Sequence, residues 1–350
     1  MIFLTIGLPS RFSEWCDGIL CGLLQAMGEP YDLASGDTLE EIALASIKSP
    51  APCLVIGARH PGDPLRAALS RAGSRFVVAL DDPHAAFRNL VMRHGLERNA
   101  AVRAAAGSCA AVVGYTTMPG ALVLRAEDVA DNPIGAAAAI ADWFNLTVSP
   151  VDIAALVEMR PYPTELTAQN ESDSWWDGVS AADRAAVDGA LDGYGDYFRG
   201  AGMGQMVWAR DLFFVGDDPH SSASGVVDVR GPVRYLLFGP YMALPPGQWV
   251  ATIVLALSRG AADLDYSVEI LAGARFTFLG RGTIQPRGEG LCELSIDFNV
   301  PEAADQPIEF RIANLQHAFG GRLALAHVAL SPRVRVRAEI PAELTKALGL

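Results

Sequence analysis

The first fifteen residues, Met1-Ile-Phe-Leu-Thr-Ile-Gly7-Leu-Pro-Ser-Arg11-Phe-Ser-Glu-Trp15, read as a buried strand running through a short loop into a helix. A junction of this kind can hold phosphate, because the strand end presents the loop and the helix N-terminus supplies amides and a positive dipole. The lining here is unlike that of a phosphate loop. Gly7 is its only glycine, and Phe12 and Glu14 stand where small or cationic residues would serve an anion best. The stretch therefore fixes a strand–loop–helix start and leaves open whether an anion site is kept in reduced form or lost.

Working outward, the first 150 residues alternate short apolar runs with helical spacing. Ile2–Ile6, Cys53–Ile56, Phe76–Leu80 and Ala121–Leu124 read as strands, and Ser13–Met27, Asp37–Ser46, Pro64–Ala72 and Pro83–His94 as helices. Asp37 followed by Glu40 reads as a capping box, and Asn132-Pro133 as a helix start. Strands alternating with helices imply a parallel sheet covered on both faces. From Val151 the text is helical and acidic; Ser180-Ala-Ala-Asp183 opens a helix that Gly200 and Gly202 close. After Gln205 the pattern changes to about ten short β-rich runs separated by turn residues, which predicts a β-sandwich of jelly-roll form. The expected division is an α/β domain over 1–204, an all-β domain over 205–338 and a tail over 339–350.

A chain of 350 residues is too long for one typical core, and 51% hydrophobic with 19% charged residues suits compact folding. No apolar run approaches the roughly 18 residues that span a bilayer. No basic stretch precedes an apolar core at the N-terminus, so no secretory signal is read and a cytoplasmic location is expected. Five irregularly spaced cysteines suit reduced thiols, with neither a disulfide framework nor a zinc site. The net charge of −13 argues against nucleic acid and anionic membrane as partners. The acidity is concentrated between residues 151 and 205, where 10 acidic residues face 3 basic ones. The arginine- and alanine-rich composition suggests a bacterial source, and the oligomeric state is left open.

Four stretches, taken in order, resemble the sulfotransferase family. Gly7-Leu-Pro9-Ser10-Arg11 is similar to the family's phosphosulfate loop, G-x-P-R-S-G-T-T. Arg75-Phe-Val-Val-Ala-Leu-Asp81-Asp82-Pro83 through Asn89 resembles V-I-x-L-V-R-D-P-x-x-x-x-x-S. Ala121-Leu-Val-Leu-Arg125-Ala-Glu127-Asp128-Val-Ala-Asp131-Asn-Pro133 is similar to L-x-L-R-Y-E-D-L-x-x-D-P. Ser174-Trp175-Trp176-Asp-Gly-Val-Ser180 through Gly200 resembles the closing W-x-x-x-L-S segment and last helix. Over about residues 1–202 the resemblance implies a P-loop-like, three-layer α/β fold. It also implies 3′-phosphoadenosine 5′-phosphosulfate as co-substrate, without a metal. On the matching positions Pro9, Ser10, Arg11, Ser13 and Asn89 would hold the donor.

Val55-Ile-Gly-Ala-Arg59-His60-Pro61 resembles the family's K-T-H-x-P segment, which implies His60 as the base for an acceptor hydroxyl, with Arg11 stabilising the leaving group. The departures fall at the donor site. Phe12 and Ser13 replace the flexible turn, Glu14 repels a polyanion, and Asp81 and Asn89 stand where the family has Arg and Ser. Glu127 and Asp128 read as structural acceptors at a strand end. His84 and His94 have no cysteine or carboxylate at ligand spacing, and Asp217-Asp218 with His220 reads as a solvated turn, so no metal site is expected.

In the second half, Tyr235-Leu-Leu-Phe-Gly239-Pro240-Tyr241-Met-Ala-Leu-Pro245-Pro246-Gly247-Gln-Trp249-Val250 resembles a segment of the β-sandwich, carbohydrate-binding-like modules attached to bacterial glycan-processing proteins. That implies Tyr235, Tyr241 and Trp249 as faces for sugar stacking. Two readings stand side by side. One is a sulfotransferase-like protein acting on or recognising a glycan or other hydroxyl-bearing acceptor, in bacterial surface polysaccharide modification. The other is a non-catalytic carbohydrate-binding protein on a degenerate sulfotransferase scaffold.

Overall fold

A computed structural model describes residues 1–163, 176, 178–216, 218–223, 225–302 and 307–333, with the backbone alone for 218–222. Ser174, Trp175, Asp217 and the 339–350 tail lie outside the described residues, as do the side chains of Asp218 and His220.

The N-terminal part is built on five parallel strands, β1 (Ile2–Gly7), β2 (Tyr31–Ser35), β3 (Cys53–Ala58), β4 (Phe76–Leu80) and β5 (Ala121–Arg125). Their order is β2-β3-β1-β4-β5. β1 lies in the middle, so both of its faces must be apolar, and Phe3, Leu4 and Ile6 are all buried. Phe3 packs with α1 (Arg11–Ala26), α6 (Ala126–Asp131), α7 (Pro133–Trp143) and α8 (Pro150–Met159) on one side of the sheet. Leu4 and Ile6 pack on the other, with α3 (Asp63–Ala72), α4 (Pro83–Met92), α5 (Arg98–Val113) and α9 (Ala181–Phe198). The chain leaves β1 for β2 and β3 on one flank, then crosses to β4 and β5 on the other. The C-terminal ends of β3, β1 and β4 thus frame the point where strand order reverses.

Three sequence expectations shift locally. β2 lacks an apolar run, because it is a half-exposed edge strand. α5 is buried over most of its circumference, so its apolar residues show no helical stripe. The cap of α2 (Leu39–Lys48) falls one residue later than expected: Thr38 and Glu41 form the capping box. Asp37 turns its carboxylate instead to the amides of Arg59 and His60, at 2.6 and 2.7 Å.

The C-terminal part consists of two antiparallel sheets. The first holds β7 (Phe214–Val215), β8 (Asp218–Ser222), β10 (Tyr235–Met242), β12 (Tyr266–Ala272), β13 (Thr277–Ile284) and β15 (Ile308–Asn314), in the order β13-β12-β15-β10-β7-β8. The second holds β6 (Met206–Ala209), β11 (Gly247–Leu257), β14 (Gly290–Val300) and β16 (Arg322–Pro332), in the order β14-β11-β16-β6. β9 (Val227–Asp228) also pairs with β16. The sheets pack face to face: Phe310 of the first meets Trp208 and Phe298 of the second edge-on, with centroids 5.9 and 6.4 Å apart.

One apolar core runs from Leu4 in the parallel sheet through α5 and α9 to Leu330 in the sandwich. α9 lies against β6 without a gap because of Gly193. A Cβ there would sit 2.8 Å from the Gly204 carbonyl oxygen and 2.9 Å from Met206 Cγ.

Candidate functional site

At the end of β1 the chain turns into α1 within three residues, Leu8, Pro9 and Ser10, with Leu8 fully buried. Ser10 is the N-cap, its hydroxyl oxygen accepting from the Ser13 amide at 3.4 Å. The same hydroxyl donates to the carboxylate of Asp81, the residue following β4. Burial pushes that carboxyl up to about 6 against the opposing Ser10 bond. From α4, Asn89 Nδ2 donates to the Pro9 carbonyl at 2.9 Å. Pro9, Ser10, Ser13 and Asn89 are thus brought together around the N-terminus of α1. Ser10 and Asn89 are tied to Asp81 and Pro9, and the charged group among them is an acid.

Gly7, which reads in sequence as a phosphate-loop glycine, has a packing task. A Cβ there would lie 2.3 Å from Ser13 Oγ and 2.8 Å from the Ala79 carbonyl oxygen, so its bareness lets α1 close onto β1 and β4. Ser13 Oγ and Asn89 Oδ1 are buried there without hydrogen-bond partners. This set does not fit a phosphosulfate. A polyanion needs free amides and cations, whereas here the cap uses its hydroxyl on Asp81 and a carboxylate stands in the crevice.

Arg11 is exposed on the first turn of α1. His60, beyond the end of β3, is exposed, and its ring lies against Gly107 of α5, on the opposite face of the sheet from α1. Its neighbour Arg59 turns inward to pair with the buried Asp17 of α1, which also accepts from Thr5 Oγ1. Burial raises the Asp17 pKa and Arg59 opposes the rise.

His84 gains partners that are distant in sequence. Its Nδ1 lies 3.1 Å from Asp82, and its Nε2 lies 3.2 and 3.5 Å from Asp188 and Asp192 of α9. Burial disfavours the imidazolium, but Asp82, Asp192 and Asp188 outweigh it and raise the pKa. The Nε2 contacts are ionic rather than hydrogen-bonded in geometry. Among the described residues no group of three or more His, Cys, Asp or Glu is arranged to hold a metal ion.

A second cluster lies on the outer face of the six-stranded sheet. Phe310 and Ile312 of β15 point into the core, so Glu309 and Arg311 point away from it. Strand register aligns Arg281, Glu269, Arg311, Phe238 and Phe214 in one row across β13, β12, β15, β10 and β7. The next row runs Phe278, Leu271, Glu309, Pro240. Arg311 chelates Glu309 through Nε and Nη2 at 2.9 and 3.0 Å. Its guanidinium lies 4.5 Å from the Phe276 ring centroid and 5.5 Å from that of Tyr235. Tyr241 donates to Glu309 at 3.3 Å, and Tyr235 to Glu269 at 3.4 Å. Burial and the Glu309 carboxylate raise the Tyr241 pKa, which keeps the phenol protonated as a donor.

Tyr241 and Phe276 have left-handed backbones, with φ of 61° and 50°. Bulky aromatics rarely adopt this conformation, and Asn145 is the one other non-glycine with positive φ among the described residues. Tyr235 and Tyr241 are therefore brought together on this face, and Trp249 is not. Trp249 is 2% exposed in β11 of the other sheet, its Nε1 donating to the Pro245 carbonyl at 3.1 Å, so its ring serves the core. Sequence reading missed Phe276, Phe278, Glu269, Glu309 and Arg311. The alternation Ile308-Glu-Phe-Arg-Ile312 is the signal that two charges share one face of a strand.

No family model and no curated protein matches this sequence. Among solved structures, a mouse sulfotransferase complexed with PAP is similar over 45% of this chain and 61% of its own length, at 12% identity and a TM-score of 0.33. The C-terminal family 6 carbohydrate-binding module of a marine laminarinase from Zobellia galactanivorans is similar over 30% of this chain and 75% of its own, at 13% identity and a TM-score of 0.21. A family 61 carbohydrate-binding module in complex with β-1,4-galactotriose is similar over 37% of this chain and 88% of its own, at 10% identity and a TM-score of 0.23. None of these TM-scores reaches 0.5, and none of the likenesses bears on the chemistry of this chain.

Proposed function

We propose that the chain is a carbohydrate-recognising protein, with its ligand on the outer face of the six-stranded sheet and a degenerate, sulfotransferase-like α/β part serving as scaffold. In this reading residues 1–204 form a P-loop-like domain and residues 205–338 a jelly roll. The observation that carries it is the pair of left-handed aromatics, Tyr241 and Phe276, flanking the Arg311–Glu309 pair. Backbone strain of this kind costs about 1–3 kcal/mol per residue and is concentrated at ligand clamps. Exposed rings beside hydrogen-bonded carboxylates and guanidinium groups suit a sugar, whose C–H faces stack while its hydroxyls replace hydration. A glycan array followed by calorimetry on the full chain tests it. Binding that Tyr241→Ala weakens supports the reading, and no glycan bound at millimolar concentration overturns it.

The competing reading is sulfuryl transfer from 3′-phosphoadenosine 5′-phosphosulfate to a glycan hydroxyl. The exposure of His60 at the end of β3, the strand beside β1, favours it. Calorimetry with adenosine 3′,5′-bisphosphate separates the two. Nucleotide binding abolished by Arg11→Ala would restore the transferase reading.

A further inference from the structure

The outer face does not belong to the sandwich alone. Arg103 leaves the middle of α5 and crosses to the C-terminal part, where its Nε donates to the Pro240 carbonyl at 2.7 Å and its Nη2 to the Leu212 carbonyl at 2.8 Å. Its guanidinium also covers the Phe214 ring, 5.0 Å from the centroid. Phe214 stacks on Phe238 at 5.5 Å and lies 6.0 Å from Tyr241. One planar cation thus grips the residue before Tyr241 and the segment leading to Phe214, while lying on the aromatic row itself.

Two further links from the same part follow the same pattern. Asn99 of α5 donates to the Asp211 carbonyl at 3.0 Å, and Tyr194 of α9 donates to the Ala243 carbonyl at 2.8 Å. All three side chains hold backbone carbonyls of the two segments, 211–212 and 240–243, that lead into or flank the rings of Phe214 and Tyr241.

We propose that Arg103 is a positioning residue for the sandwich's ligand face, fixing Tyr241 from α5 so that the face is complete only with the N-terminal part docked against it. The inference rests on the carbohydrate reading for what the face binds, and on the contacts above for what Arg103 does. A left-handed tyrosine persists only where its surroundings over-determine it, and the bond to Pro240 supplies a constraint one residue away. The donor geometry makes arginine specific. Its fork reaches two carbonyls in fixed directions while its plane stacks on a ring, and a lysine ammonium supplies one point charge on a flexible stem.

The test uses the full chain, with Arg103→Ala and Arg103→Lys compared with wild type in two measurements. The first is affinity for the glycan found on the array, accompanied by thermal unfolding to establish that the variant is folded. The second is the ring resonances of 13C-labelled tyrosine, which require no ligand. Arg103→Ala is expected to weaken binding about tenfold, equivalent to about 1.4 kcal/mol. It is also expected to move the Tyr241 resonance while leaving that of Tyr235 in place, and lysine should not restore either. If Arg103→Ala does not fold, Arg103→Lys carries both measurements. An unmoved Tyr241 resonance in a folded variant, or undiminished affinity, overturns the inference. A moved Tyr241 resonance in a chain that binds no glycan supports the positioning role and removes the carbohydrate reading instead.

Discussion

At the C-terminal end of the parallel sheet the polar side chains are turned onto the chain itself. Ser10 caps α1 and holds Asp81, Asn89 holds Pro9, and Arg59 is drawn inward by Asp17. On the outer face of the six-stranded sheet the polar groups stand in rows between exposed rings, with two aromatic backbones held in a conformation that costs free energy. In the crevice most polar groups are tied to neighbouring chain atoms, Ser13 Oγ and Asn89 Oδ1 excepted, and the packing at Gly7 leaves no room for a methyl group. On the face, Tyr241 and Phe276 keep left-handed backbones beside the Arg311–Glu309 pair. Topology marks the crevice as a place where a ligand would fit, and in the proposed reading one sits instead on the face where the backbone is strained.

Four substitutions press on that contrast. The largest effect is expected at Tyr241: its replacement by alanine should weaken glycan affinity about thirtyfold or more, the loss usual for a central aromatic anchor. Equal affinity in wild type and variant would remove the face from consideration. Next is Gly7→Ala, which forces a methyl group against Ser13 Oγ and the Ala79 carbonyl. It should cost about 1–3 kcal/mol in urea denaturation, and an unchanged midpoint would mean that α1 does not close tightly on the sheet.

Asp81→Asn should act in the opposite direction. The folded carboxyl titrates near 6 against an ordinary 3.8, so the folded state holds its proton longer and wild-type stability falls as pH rises from about 4 to 6. The variant should lack that slope and be more stable at pH 7 by on the order of 1–2 kcal/mol. A parallel pH profile in both proteins would place Asp81 in water. The smallest effect is expected at His84. Its raised pKa contributes stability that is fully present below the unfolded value of 6.5 and is lost as pH rises through the folded one. His84→Gln should therefore lower stability at pH 6 by roughly 0.5–1 kcal/mol and leave it unchanged at pH 9. A cost that persists at pH 9 would point to packing rather than charge.

Central strands were legible in sequence because burial on both faces makes them continuous apolar runs, as in Ile2–Gly7 and Phe76–Leu80. β2 was not legible, since an edge strand such as Tyr31–Ser35 needs no such run. Nor was α5, whose circumference is nearly all core. Motif order along the chain names Ser10 and Asn89 but says nothing of the bonds they make to Asp81 and Pro9. The proposed face was only half legible. Tyr235, Tyr241 and Trp249 look alike in sequence, and strand parity separates them, turning Trp249 into the core. Arg311 and Glu269 meet only through pairing between β12 and β15, a register that no local pattern encodes. His84 shows the same limit, because two of its three carboxylates arrive from α9.

The unbroken core also bears on how the chain is made. β6, the strand seated against α9, pairs with β16, whose residues are among the last of the described chain to be synthesised. Until they arrive, β6 has no sheet neighbour, and the apolar side of α9 with Leu191 and Tyr194 lacks its finished cover. A nascent chain would therefore carry a sticky, incomplete surface while the sandwich is being made, a period in which aggregation competes with folding. A ribosome stalled within the sandwich should leave a protease-sensitive α9, and release of the complete chain should protect it.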